Sequence, residues 1–403
     1  MKRVHKRIAA ILTATMLASM SIAGCSDKTG GNGTTGGTDS NTSGEGREVL
    51  DIDLNQDSQS VTISEVPEQP EATEVPEIEE SREGMVRSEL TNEWIDESIA
   101  DQRPIAVMVD NEKIALPHYG LTEADIVYEI VNSTKNDYVT RFMAIVKDWG
   151  SIEQFGSIRS ARPTNFMIAA EYNAIICHDG GPFYIDNYLA KSYTNSLSGG
   201  FARFSNGKST EFTEYITYNT YNNPTTGRSY SGLGQRIADA GYTTTYNSHF
   251  PGNHFQFSLY DTDLTEYKSS FECTYIDLPF PHNGSELRYN TETGKYDYYE
   301  YGSAHVDPLH NNLQLSFENV ILQKCTYTQL DENGYLIYNV IDKGMDGYLI
   351  KNGHAVPIGW SKLAEDGLTV YSIAENGELV QLNTGKTYIA LVPADKWNQL
   401  GLE

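Results

Sequence analysis

The chain is poor in positive charge. It carries 29 Lys and Arg against 55 Asp and Glu, a formal net charge of -26, a balance that disfavours nucleic acid and direct adsorption on anionic lipid as partners. Cysteine is scarce as well, with four in 403 residues. Cys177, Cys273 and Cys325 show no zinc-ligand spacing, and three thiols permit at most one disulfide, so they read as small buried hydrophobes. Beyond the first twenty or so residues no run is long and apolar enough to cross a membrane. The chain also lacks a GxGxxG after a strand, a P-loop, an HExxH and a GxSxG, which removes the usual signals for dinucleotide, nucleotide, zinc-protease and serine-hydrolase chemistry. With 39% hydrophobic and 11% aromatic residues, there is still ample material for cores.

What is present begins with a targeting segment. Lys2, Arg3, Lys6 and Arg7 precede the apolar stretch Ile8 to Ala18, and Ile22-Ala23-Gly24-Cys25 follows. Residues 1–24 are therefore predicted to be a lipoprotein signal peptide. The thiol of Cys25 would be acylated, palmitate included, holding the mature protein on the outer face of a cytoplasmic membrane. Residues 25–100 read as a disordered linker, rich first in Gly, Ser and Thr and then in Glu and Pro. From Glu45 to Asp101 there are 18 acidic residues against 3 Arg and no Lys, so more than half of the net charge lies in this segment. About seventy flexible residues give a reach of about 45 to 50 Å, enough to stand the folded part off the membrane.

The predicted fold is an α+β or α/β domain over 101–250 followed by a mainly antiparallel β domain over 251–403. "RPIAVMVDN" reads as a buried strand, and "DIVYEIV" and "TRFMAIV" as a hairpin. Pro163 suits the first turn of a helix through "TNFMIAAEYN", with "AIIC" a buried strand after it. Past about residue 253 strand and turn signals recur, and Asn352-Gly353 and Asn376-Gly377 are strong hairpin turns.

Laid in order, the lipobox, "RPIAVMVDN", "LTEADIVYEIV" running into "TRFMAIV", "GSIRSARP" and "HDGG" resemble the YerB family of Gram-positive lipoproteins, with DUF3048 N- and C-terminal type domains. "ENVILQ", "GWSK" and "LNTGKTYIALVP" extend the resemblance through the C-terminal half, so that it covers nearly all of Arg103 to Pro393. One stretch departs: where family members carry a basic residue and Ala-Pro-His-Asn-Leu-Tyr, this chain has "YNNPTTGRSYSGLG". The resemblance implies a lipid-anchored envelope protein of two adjacent domains and no established reaction.

The candidate residues cluster between Asp110 and Gly181. Arg159 and Arg162, three apart at a helix entrance, suit a phosphate or carboxylate, unless the protein's own Asp110, Asp125 or Glu129 neutralises them. His178 and Asp179 leave a buried strand before Gly180 and Gly181, a position that lines clefts, while Asp110 and Asn111 could converge there if the strands run parallel. His178 with Asp110 or Asp179 is the weak catalytic candidate, for hydrolase or transferase work on peptidoglycan or another wall polymer. No metal and no cofactor are expected. Tyrosines dense from Tyr215 to Tyr230 suit glycan stacking or packing. Trp360, Lys362, Asn383 and Lys386 suggest a polar patch in the C-terminal half. The leading expectation is a non-enzymatic envelope protein that binds an anionic or glycan wall component, or an envelope protein, through the Arg159, Arg162, His178 and Asp179 cleft.

Overall fold

A computed structural model describes residues 81–403. The predicted signal peptide, Cys25 and the linker up to residue 80 lie outside the described residues.

The described chain is predominantly strand, with three short α-helices among the described residues. Eleven strands join in one sheet: β1 Ile105–Asp110, β2 Ile126–Val131, β3 Thr140–Val146, β4 Ile175–His178, β5 Asn195–Ser198, β6 Phe271–Glu272, β7 Asn319–Cys325, β8 Lys343–Lys351, β9 His354–Ser361, β10 Val370–Ile373 and β11 Thr387–Pro393. Across the sheet the order is β6-β9-β8-β7-β11-β2-β3-β1-β4-β5, with β10 beside β9. The join between the two halves of the sequence is the parallel pair β2 and β11, Ile126 opposite Thr387 through Ile130 opposite Leu391. Every residue of β1, β2, β4 and β11 is buried. Such continuous runs, unlike alternating ones, are what a sheet covered on both faces requires.

β2 and β3 pair as the expected antiparallel hairpin. β1 runs antiparallel to β3 and parallel to β4, so β1, β2 and β4 point the same way. β7, β8 and β9 are antiparallel neighbours, whereas β7 and β11 are parallel. The β8 to β9 turn uses Asn352 and Gly353, at φ of 46° and 77°, as a two-residue hairpin demands.

The helix α1, Pro163–Glu171, is buried along its whole length. Pro163 occupies its first turn, and the Asn165 side chain accepts from the Arg162 amide at 2.7 Å, which satisfies a group the helix cannot bond internally. Two further helices follow, α2 Asp186–Leu189 and α3 Leu233–Asp239.

Residues 81–100 correct an expectation. Assigned to the linker for their acidity, they include a hairpin, Met85–Arg87 against Trp94–Asp96. Leu90 between the strands is buried, the Thr91 carbonyl accepts from the Gly385 amide at 2.7 Å, and Glu89 pairs with the buried Lys147 at 2.7 Å. One apolar anchor and one paired acid outweigh the local charge.

Candidate functional site

The segment between β1 and β4 decides which candidates meet. Ile158 forms an antiparallel bridge with Val109, the Arg159 amide donates to the Met108 carbonyl at 2.9 Å, and the Asp179 amide donates to the Arg159 carbonyl at 3.0 Å. This strip of chain is wedged between the ends of two parallel strands. It holds Asp110 and His178 apart and places Arg159 to Arg162 at the carboxyl ends of β1, β2 and β4, where open α/β-type sheets bind ligands.

Two arginines that look equivalent in sequence have different surroundings. Arg159 is neutralised: its Nε contacts the buried Asp110 carboxylate, its Nη1 lies 3.0 Å from Glu211, and its Nη2 4.0 Å from Glu112. Burial alone would lower its pKa, but Asp110 and Glu211 outweigh that and raise it. Arg162 forms no ion pair among the described residues. It is 7% exposed, gives one hydrogen bond to the Ala161 carbonyl at 2.9 Å, and lies 4.3 Å over the Tyr335 ring. Its Nε is buried with no partner. Burial and the adjacent Arg141 pull its pKa down to about 9.

Arg141, at the start of β3, also lacks a carboxylate partner among the described residues; it donates to the Ser160 carbonyl at 2.7 Å and to Asn132 Oδ1 at 3.2 Å. Burial lowers its pKa to about 10. Both groups stay protonated at neutral pH, at a cost an anion would offset. They line a pocket of about 530 Å³ together with Lys135, Arg159, Glu112, Tyr335 and the backbone around Gly181. Four cations and one carboxylate border this space, in a protein of net charge -26. Arg141, Lys135 and Tyr335 were not singled out in the sequence. Arg141 sits inside a strand pattern, and Tyr335 comes from a loop almost two hundred residues away.

Family models described as "Protein of unknown function (DUF3048) N-terminal domain" and "Protein of unknown function (DUF3048) C-terminal domain" match residues 90–232 and 276–389. The chain belongs to the DUF3048 family. It is 22% identical over 317 residues to a Bacillus subtilis (strain 168) protein named "Putative lipoprotein YerB", which covers 77% of this chain and 85% of that protein. The crystal structure of YerB from Bacillus subtilis superposes with a TM-score of 0.61 at 20% identity, over 79% of this chain and 99% of that one. That likeness establishes the fold this DUF3048 chain shares.

The remaining candidates do not line the pocket as a group. His178 is 1% exposed. Its Nδ1 meets the Gly180 carbonyl at 2.7 Å and its Nε2 the Ser196 hydroxyl at 2.8 Å, and burial lowers its pKa. Both nitrogens are engaged within the protein, one by the backbone just after β4 and one by Ser196 of β5. Asp179 faces away and lies 3.3 Å from Arg203. Gly180 takes φ of +70°, and a Cβ on Gly181, which lines the pocket, would meet Ile185 Cδ1, and the Ala161 carbonyl at 3.1 Å, so the chain approaches closely here.

Asn111 is fully buried and donates to Thr140 at 2.9 Å and to Glu129 at 3.3 Å. Tyr215 and Tyr230 are buried and Tyr221 stacks on Phe204 at 4.1 Å, so these tyrosines pack rather than form an open platform.

The expected C-terminal polar patch is absent from the surface. Trp360 is buried and donates to the Lys324 carbonyl at 3.1 Å. Lys362, 0% exposed, pairs with Glu171 at 3.1 Å. The Asn383 backbone N–H donates to Asn319 Oδ1 at 2.8 Å and its carbonyl accepts from Asn319 Nδ2 at 2.9 Å, and Lys386 donates to the Thr122 carbonyl. Each is an internal anchor: Trp360 points inward from its strand, and Lys362, Asn383 and Lys386, just beyond strand ends, bond groups inside the protein. Cys177, Cys273 and Cys325 are buried and unpaired among the described residues.

Proposed function

We propose that this chain is a non-enzymatic binding protein of the cell envelope, anchored through Cys25 on the outer face of the cytoplasmic membrane. Its Arg141 and Arg162 pocket captures a phosphate or carboxylate group of a wall component. The observation that carries the reading is Arg162: a buried guanidinium with no carboxylate partner among the described residues and an unpartnered Nε, bordering a pocket of about 530 Å³. A buried cation left unpaired is costly unless a ligand completes it, and a guanidinium fork suits a phosphate or carboxylate. The name of the Bacillus relative and the Lys2 to Cys25 pattern support the anchor.

The experiment is binding of the full chain to purified wall material and to inorganic phosphate by calorimetry, for wild type and for Arg162→Ala and His178→Ala. Loss of binding with Arg162→Ala and its retention in a folded His178→Ala protein is the expected outcome. Unchanged binding in Arg162→Ala, or turnover of muropeptides that disappears with His178→Ala, sinks the reading.

A further inference from the structure

Behind the pocket lies a second polar cluster, enclosed by protein. His118, Glu300 and His305 are 0%, 2% and 4% exposed, and each offers one ligand atom, all within 4.8 Å of one another. The two imidazole rings lie 5.0 Å apart between centroids. Phe142 closes one side, edge-on to both at 5.8 and 6.2 Å. We propose that His118, Glu300 and His305 form a buried site for a divalent transition-metal ion of the zinc class, which ties the two halves of the chain together.

The hydrogen bonding around the cluster leaves lone pairs that no donor among the described residues satisfies. His118 Nε2 faces the Asp110 carbonyl, which can only accept, so the proton is on Nε2. Its Nδ1 is then a bare lone pair, buried and without a partner. This is how metal-ligating histidines are held, one nitrogen fixed by a backbone carbonyl and the other free for the ion. His305 Nδ1 lies 2.8 Å from Glu300 Oε1, a contact with room for one proton that a cation can replace. The Asn111 and Asn283 side chains approach Glu300 and hold its pKa down somewhat, yet Glu300 Oε2, Asn111 Oδ1, Asn283 Oδ1 and His305 Nε2 make no hydrogen bond of good geometry among the described residues. Lone pairs gathered in a dry site repel one another, and unmade hydrogen bonds there are expensive. Two imidazoles and a carboxylate match a borderline ion such as zinc better than calcium or magnesium, which prefer oxygen ligands alone. Ligand atoms around one tetrahedral zinc are about 3.4 Å apart, given bonds of about 2.0 to 2.2 Å, so an ion would draw these atoms closer than the 4.8 Å within which they now lie.

The topology explains the convergence. Glu300 ends the strand Lys295–Glu300 and is followed by the tight turn Tyr301-Gly302. The His305 amide donates to the Tyr298 carbonyl at 3.1 Å, which sets His305 opposite Tyr298, so Tyr298, Glu300 and His305 share one face of the hairpin. His118 arrives from the first half of the chain, and the carbonyl that orients it belongs to Asp110, the partner of Arg159.

The test is direct. Full-length protein is stripped with a chelator, dialysed and titrated with Zn2+ while bound metal and thermal midpoint are measured. The expected result is one equivalent of zinc, a midpoint that rises with Zn2+ concentration as linkage requires, and visible absorption bands on Co2+ substitution. His305→Ala and Glu300→Gln should each weaken zinc binding at least tenfold. Glu300→Gln is nearly isosteric, which keeps the test informative where the alanine variant fails to fold. Stoichiometry near zero with an unchanged midpoint would mean that the cluster holds a proton on Glu300 instead, and overturns the proposal. Zinc binding equal in wild type and Glu300→Gln places the metal elsewhere and overturns it too. Phosphate binding is read separately, so failure here leaves the Arg162 pocket standing.

Discussion

The Arg162 guanidinium carbon lies 4.3 Å from the centre of the Tyr335 ring, a contact between a helix entrance in the first half of the chain and a loop in the second. Three residues earlier Arg159 is bound to Asp110 and Glu211. The same residue type at adjacent helix-entrance positions is thus spent once on holding the protein together and left once for a ligand.

That difference predicts stability changes of opposite sign. Arg162→Met removes a buried cation with no ion-pair partner among the described residues and keeps the apolar stem, so it should raise stability by about 1 kcal/mol while abolishing phosphate binding. Arg159→Met leaves Asp110, 1% exposed, without its cation and should cost about 3 kcal/mol. Urea unfolding of both variants checks the pair. Destabilisation by Arg162→Met would mean that Arg162 has a structural rather than a ligand role.

Glu129 is the polar hub between the halves. Its carboxylate accepts from Thr140 at 2.8 Å, Asn283 at 2.8 Å, Ser285 at 2.7 Å, Tyr298 at 2.9 Å and Tyr388 at 2.6 Å. Burial raises its pKa while these donors pull it back. Glu129→Leu strands all of the donors and should cost more than about 3 kcal/mol. Glu129→Gln should cost much less, because the two tyrosine hydroxyls can turn and accept from the new amide. Equal losses for both variants in urea unfolding would show that charge, not the acceptor count, matters at this position.

Asp125 makes stability depend on pH. Desolvation of the half-buried carboxyl raises its pKa from 3.8 to about 7, the Lys147 amide partly opposing, with Lys386 attracting and Glu89 and Glu93 repelling its charge. The folded state therefore keeps a proton that the unfolded chain releases above about pH 4. Its contribution is fully present below that value and is lost as pH rises to about 7. Asp125→Asn keeps an acceptor for the Lys147 amide, 2.6 Å away, and should flatten the stability profile between pH 4 and 7, by about 2 to 4 kcal/mol across the window. Unfolding curves at several pH values measure this, and parallel profiles would rule Asp125 out as the source.

Much of the local structure was legible. The β2 and β3 hairpin, the helix begun by Pro163 and the Asn352-Gly353 turn rest on patterns that neighbouring residues determine by themselves, through alternation, fixed φ and positive φ. Residues 81–100 were misread because a run of acids resembles linker until Lys147 and the groove for Leu90 are in place. Trp360, Lys362, Asn383 and Lys386 looked like a surface because polarity in sequence does not say which polar groups have buried partners.

The site shows the same division. Sequence alone determined the residue types available between Gly156 and Gly181 and the family they belong to. Only the tertiary structure decided that Arg159 is neutralised and Arg162 is not, that His178 is locked by Gly180 and Ser196, and that His118 meets Glu300 and His305. Those outcomes depend on which side chains arrive from residues one to two hundred positions away, and β2 beside β11 is the pairing that brings them. Electrostatic and ligand-field effects act over a few ångströms of space, so a distance along the chain carries no information about them until the sheet closes.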